Sequence, residues 1–309
     1  GTPTELTEIT VEIQIGEEEP TFSTIWTGED GKVARTFSPA VNLVSYRTED
    51  EATATQFAAN DMIAAAIPVK VKSDLKKLSE AKRVAFAIKP IAETDESEDP
   101  VQIEPFPGQY VRSVDGVFQL LVSRLGEKLQ KGFNKSELTP TEADLKANHF
   151  IDFKAKWINR LADAAIGSSD MTDREVAEEL ASTAHKLISE EGQHSGLSRA
   201  SEVARDGVGD STEQAVLLAA LLRARKIPSR LAIGIKFLPG EPNRMVYHAW
   251  TLAHVGDDWL HLDSTDGSIA AADRIVFATT NLSGGNEYNS LIPLLDMIGR
   301  IEVEILRAE

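Results

Sequence analysis

The sequence predicts an α+β protein: a β-rich first part, residues 1–140, precedes residues 141–309, where a buried helix packs on an antiparallel sheet. Short alternating or β-branched runs, separated by Gly, Pro and acidic turns, fill the chain from about residue 5 to 125. Amphipathic helical segments dominate after residue 150. A helical stretch apolar on nearly every side then leads into four strand-like runs.

In the first part the strand-like runs are ITVEIQI, TFSTIWT, VNLVSYRT, IPVKV, RVAFAI and VFQLLV, broken by turns such as GEEEP and ETDESEDP. The acidic turns lack the regular spacing of calcium ligands and read as solvated loops. One stretch, EATATQFAANDMIAAA at 51–66, does not alternate and stops before Pro68, which predicts a helical insertion. The polar segment NKSELTPTEADLKANHF contains Pro140 and offers Thr141 as a cap, so the boundary between the parts falls near residue 140.

Beyond that boundary, FIDFKAKWINRLADAA and MTDREVAEELASTAHKLIS have the spacing of amphipathic helices, with Leu180, Ala184, Leu187 and Ile188 on one side of the second. The helix opening GDSTEQAVLLAALLRA presents Val216, Leu217, Leu218, Leu221 and Leu222 on several faces, which places it in the centre of its domain. The runs RLAIGIKF, YHAWTLAHV, WLHLDST and RIEVEILRA complete the sheet.

Composition narrows the function classes. Of 309 residues, 42% are apolar and 26% charged, ordinary values for a globular chain. A net charge of -17 repels phosphate backbones and anionic lipid, so neither nucleic acid nor a membrane surface is expected as a partner. No apolar run is long enough to span a bilayer. The absence of cysteine excludes disulfides and thiolate metal sites. No phosphate-binding, dinucleotide-binding, zinc-peptidase or EF-hand motif is present, and neither a metal nor an organic cofactor is expected. The start GTPTELTEIT has no Met and no apolar leader, and reads as a processed or recombinant terminus; an exported or periplasmic setting is the expectation.

Three residues stand out for chemistry, although each has an ordinary structural explanation. Ser211, with Gln214 three residues on, fits a capping box in which its hydroxyl serves the helix N-terminus. His248 begins a strand and could be a satisfied core histidine. Asp263 ends a strand, where a turn or cap role is common. Their order is more telling than their identities: a polar residue at a helix N-terminus, a histidine two strands later, and an aspartate one hairpin beyond. Both His248 and Asp263 lie a similar distance from the VGDDW turn, so the hairpin is expected to set them opposite each other. Trp250 and Trp259 alternate along the same strands and read as core.

The motifs GDSTE, the RA-x-x-IP-x-R helix end, HAW, the W-x-x-LD strand and ADRIVFA stand in one order over roughly residues 195–280, and this segment resembles the transglutaminase-like superfamily of papain-like thiol enzymes. The resemblance implies a papain-like fold acting on peptide or protein substrates by acyl transfer or hydrolysis at an amide. It implies that Ser211 occupies the position of the nucleophilic cysteine, that His248 is the catalytic histidine, and that Asp263 orients it. The departure at residue 211 matters: a hydroxyl is far less acidic than a thiol and is not ionised at rest by a helix dipole or an imidazolium. An engineered Cys-to-Ser change, a natural binding module for a peptide or cell-surface polymer, and a serine amidase all fit. The backbone N–H of residue 211 is one natural oxyanion donor, and Gln193 or His194 could supply the side-chain donor.

Overall fold

The computed structural model describes residues 6–13, 21–28, 30–38, 43–47, 67–71, 78, 80–91, 100–124, 132–167, 170–189, 197–283, 292–295, 297 and 299–309. The helical insertion expected at 51–66 and the donors Gln193 and His194 lie outside them.

The β-rich start is an antiparallel sheet of β1 (Thr7–Ile13), β2 (Thr21–Thr27), β3 (Val33–Ser38) and β4 (Leu43–Tyr46), paired in that order. Its third strand was not legible as an alternating run, because VARTFS mixes small, charged and apolar residues.

A second, ten-stranded sheet takes strands from both sides of residue 140. From the first side come β5 (Ile67–Val71), β6 (Arg83–Pro90), β7 (Gln109–Val114) and β8 (Val117–Ser123). From the second come β9 (Ser229–Leu238), β10 (Arg244–Val255), β11 (Asp258–Asp263), β12 (Ser268–Ile269), β13 (Arg274–Thr280) and β14 (Ile301–Ala308). The strand β5 joins the two groups, running parallel to β14 and meeting β10 at Ile67 and Pro68. Across the far edge, Gln109 of β7 uses its side-chain amide as a strand would: Nε2 donates to Val276 O at 3.0 Å, and Oε1 accepts Val276 N–H at 2.9 Å.

The longer helices are α1 (Lys156–Ile166), α2 (Asp173–Leu187), α3 (Ala200–Asp206) and α4 (Ser211–Ala224). The first begins later than its apolar spacing predicts. Asn148 Oδ1 accepts the N–H groups of Phe150 and Ile151, and Asp152 reaches Ser201, so side chains commit that backbone to a loop before the helix starts. In α2, Thr172 and Glu175 form a capping box. Every residue of α4 from Ala215 to Leu222 is fully buried, as its unbroken apolar pattern requires. Each of its leucines contributes about 2 kcal/mol of apolar burial, an upper bound set by the extended-chain reference.

Polar side chains anchor both ends of α4. At its C-terminus the buried Arg223 donates to the carbonyls of Lys146, Ser229 and Asn281, while Arg230 pairs with the fully buried Asp144 at 2.8 Å. Arg223 and Arg230, two of the motif residues quoted above, thus tie the helix end to the loops around it. Further along, Thr251 Oγ1 of β10 donates to Ala215 O at 3.0 Å, fixing the helix against the strand one turn beyond Ser211.

Candidate active site

The N-terminus of α4 meets β10 at a gap in the sheet. One edge of β10 pairs with β9 along nearly its whole length. On the other edge, β5 pairs only at Arg244 and Met245, and β11 only from Thr251 onward. Among the described residues no strand covers Val246–Trp250 on that side. There the N–H of Ala249 donates to Ser211 Oγ at 3.3 Å. Beside it, Thr212 Oγ1 and the Tyr247 hydroxyl lie 2.9 Å apart. Burial pushes that phenol well above its ordinary range, so it remains protonated.

Ser211 is the first residue of the helix and not its cap. The cap is Asp210, whose Oδ1 accepts the N–H groups of Thr212 at 2.7 Å and Glu213 at 3.4 Å; Glu213 Oε2 accepts the Asp210 N–H in return. The expected box of Ser211 and Gln214 is therefore shifted by one residue. An aspartate accepts two N–H groups with a full charge at the positive end of the helix, and so outcompetes the adjacent hydroxyl. Burial, with the hydrogen bond to and charge of Asp210, pushes the Glu213 carboxyl up to about 8. Gly209 leaves room for this packing, since a Cβ there would stand 2.8 Å from Glu213 Cβ.

His248 and Asp263 are brought together, in a register different from the one expected. The turn Gly256-Asp257, with Gly256 at φ 63°, pairs Thr251 with Leu262 and Leu252 with His261. Continued, that register sets Asp263 beside Trp250, so His248 reaches it from two residues away, diagonally on the same face. The contact is short all the same: His248 Nε2 lies 2.8 Å from Asp263 Oδ2. With the carboxylate ionised, Nε2–H is the donor, and Nδ1 is the ring nitrogen left for proton exchange.

Asp263 is fully buried and carries more partners than a two-residue hydrogen bond needs. Its Oδ2 also accepts from Arg274 Nη1 at 2.6 Å and Lys236 Nζ at 3.1 Å; Oδ1 accepts from Thr265 N at 3.0 Å and Thr265 Oγ1 at 2.7 Å. Burial works to raise this carboxyl, but the His248 hydrogen bond and the charges of His248, Arg274 and Lys236 outweigh it and hold the group well below the usual carboxylate range. The Arg274 guanidinium, itself buried, stays charged through Asp263 and Asp273. Sequence reasoning assigned no role to Lys236 or Arg274. Arg274 sits in a quoted motif and Lys236 in a quoted strand-like run, but nothing in a linear spacing indicates that they converge on one oxygen.

Aromatic rings back the histidine. Trp250, fully buried, stacks on His248 with centroids 6.1 Å apart and 22° between planes; the Arg274 guanidinium lies 5.3 Å from its ring centre. Trp250 Nε1 donates to His261 Nδ1 at 2.9 Å, which leaves His261 Nε2–H to donate to Pro107 O at 2.7 Å. Burial pulls this imidazole down from 6.5 to about 4 and keeps it neutral. Trp250 and Trp259 are core residues as expected, and Trp250 in addition touches the histidine. Among the described residues no group of three His, Asp or Glu side chains is placed to hold a metal ion.

The profile of the transglutaminase-like superfamily matches residues 161–264, a span that contains Ser211, His248 and Asp263. The resemblance to the transglutaminase-like superfamily is thus shown for that segment, and the fold is α+β with a β-rich N-terminal region. No curated protein matches it. Among solved structures it is similar to a candidate cysteine protease from Cytophaga hutchinsonii, at 15% identity and a TM-score of 0.43 over 74% of this chain and 87% of that one. It is also similar to the periplasmic domain of TgpA from Pseudomonas aeruginosa bound to ethylmercury, at 14% identity and a TM-score of 0.32 over 68% and 95% of the two chains. Red sea bream transglutaminase matches at 12% identity and a TM-score of 0.30, over 61% of this chain and 47% of that one. No described helix is long and apolar enough to cross a membrane.

Proposed function

We propose that the crevice at the N-terminus of α4 is an amide acyl-transfer site of the cysteine-peptidase or amidase kind, acting on peptide or protein substrates, with Ser211 at the nucleophile position. The observation that carries this reading is the release of Ser211 from capping. Asp210 serves the helix, and the Ser211 hydroxyl instead meets the Ala249 N–H, in the residue next to His248.

In the reaction a thiolate at position 211 would attack the amide carbonyl, forming a carbon–sulfur bond and a tetrahedral oxyanion. The backbone N–H of residue 211 and the helix dipole favour that charge. Collapse of the intermediate breaks the carbon–nitrogen bond, and the His248 imidazolium gives its proton to the departing amine. Water, deprotonated by His248, then releases the acid and restores the thiol. Hydrolysis fits better than crosslinking, because no dedicated amine site is evident among the described residues.

With serine at 211 the first step must also remove a hydroxyl proton during attack, and a site shaped for a thiolate does this poorly. The chain as it stands is therefore proposed to be inactive or an inactivated variant. The second reading, a non-catalytic module that binds a peptide or cell-surface polymer, is favoured by the same serine. The test is Ser211→Cys. Under the enzyme reading the new thiol is alkylated as a thiolate near neutral pH, and amidase activity appears that His248→Ala abolishes. A thiol no more reactive than that of an unstructured peptide would discard the enzyme reading in favour of the binding module. The codon at position 211 in the genome tells whether the serine was engineered.

A further inference from the structure

Three donors from three separate strands converge on one oxygen of Asp263. Lys236 comes from β9, His248 from β10 and Arg274 from the first position of β13, while Thr265 occupies the other oxygen. A carboxylate needs one partner to orient an imidazole. Two additional cations on the same oxygen fix its rotation about the Cβ–Cγ bond and offset the penalty of burying its charge. Arg274 does a second thing: its guanidinium also lies against the Trp250 ring, which stacks on His248. The same side chain thus touches both groups that hold the histidine.

We infer that Arg274, assisted by Lys236, is a positioning residue for His248: it locks Asp263 Oδ2 toward the ring, and so keeps Nε2–H bound to the carboxylate and leaves Nδ1 for proton exchange. The inference rests on the acyl-transfer reading for its catalytic meaning, but not for its geometry. The charged groups around the pair are Lys236 on β9, Asp263 and Asp266 on β11 and the turn after it, and Asp273 and Arg274 at β13, with Asp210 and Glu213 on the helix side. Lys236 and Arg274 each also pair with Asp266, and Arg274 with Asp273, so both cations are held in place from behind.

Two readouts test this, one of which needs no activity. In the Ser211 chain, the Nε2–H of His248 bound to a carboxylate should give a far-downfield proton resonance. Arg274→Met should broaden or abolish it, and Arg274→Lys should restore it in part. In the Ser211→Cys background, Arg274→Met should slow alkylation near neutral pH by about tenfold or more, the scale of a misplaced catalytic group. At high pH, where the thiol ionises unaided, the rate should be unchanged, a pattern that unfolding does not produce. Should Arg274→Met fail to fold, Lys236→Met takes its place; its side chain is 21% exposed, and it should move both readouts in the same direction by less. Folded Arg274→Met or Lys236→Met proteins that keep the resonance and the neutral-pH rate would overturn the inference. A resonance that responds while the Ser211→Cys thiol shows no thiolate reactivity in any background would uphold the positioning role and reject the acyl-transfer reading.

Discussion

Ser211 Oγ accepts the backbone N–H of Ala249 at 3.3 Å, across a gap in the pairing of β10. That contact connects the first residue of the buried helix to the strand residue that follows His248. It also leaves the hydroxyl proton free to point away from Ala249, since an oxygen that accepts one hydrogen bond still has its own to donate.

If Asp210 is the cap, the two neighbouring substitutions separate in stability. Asp210→Ala should cost about 1 kcal/mol in urea unfolding, the usual loss for a charged or hydroxyl N-cap. Ser211→Ala, which gives up one long hydrogen bond, should cost about 0.5 kcal/mol. Equal losses, or the reverse order, would contradict the cap assignment.

Gly234 lies opposite His248 on β9, and a Cβ at that position would overlap Ile275 O of β13. The obstacle is backbone, which cannot swing away as a side chain would. Gly234→Ala should therefore destabilise by about 2 kcal/mol, in the range of core overpacking, and should weaken the Arg274 to Asp263 contact by displacing β13. Thermal unfolding measures the first effect and the His248 downfield resonance the second.

His261 gives stability a defined pH dependence. Its folded form resists the proton until about 4, whereas the unfolded chain takes it near 6.5. The contribution is therefore complete above 6.5 and is lost as pH falls toward 4, with a magnitude of about 3 kcal/mol. Urea midpoints between these limits should fall with acid, and the slope should flatten in His261→Gln.

Arg223 is buried and donates to three main-chain carbonyls, of which that of Ser229 is itself buried, so its loss strands an acceptor and removes three ties at the helix end. Arg223→Met should cost about 3 kcal/mol or more. Because the damage lies at the far end of α4, thiol reactivity in a Ser211→Cys background should survive in the fraction that remains folded.

The sequence by itself determined the elements that local pattern encodes. The apolar run from Ala215 to Leu222 has no polar face to give to solvent and so could only be buried, and the runs at 230–237 and 247–255 were legible as strands. Ser211, His248 and Asp263 were readable as a set because their order along the chain matches a motif series. Tertiary structure decided what that pattern leaves degenerate. Asp210 and Ser211 are both good cap residues, and only packing chose between them. The hairpin register set His248 diagonal to Asp263, because a two-residue turn fixes pairing by backbone geometry, whatever the side chains would favour. The strand β13 and the cations Lys236 and Arg274 acquire their meaning from strands distant in sequence that meet at one buried carboxylate. Electrostatic compensation acts through space, and no spacing along the chain records it.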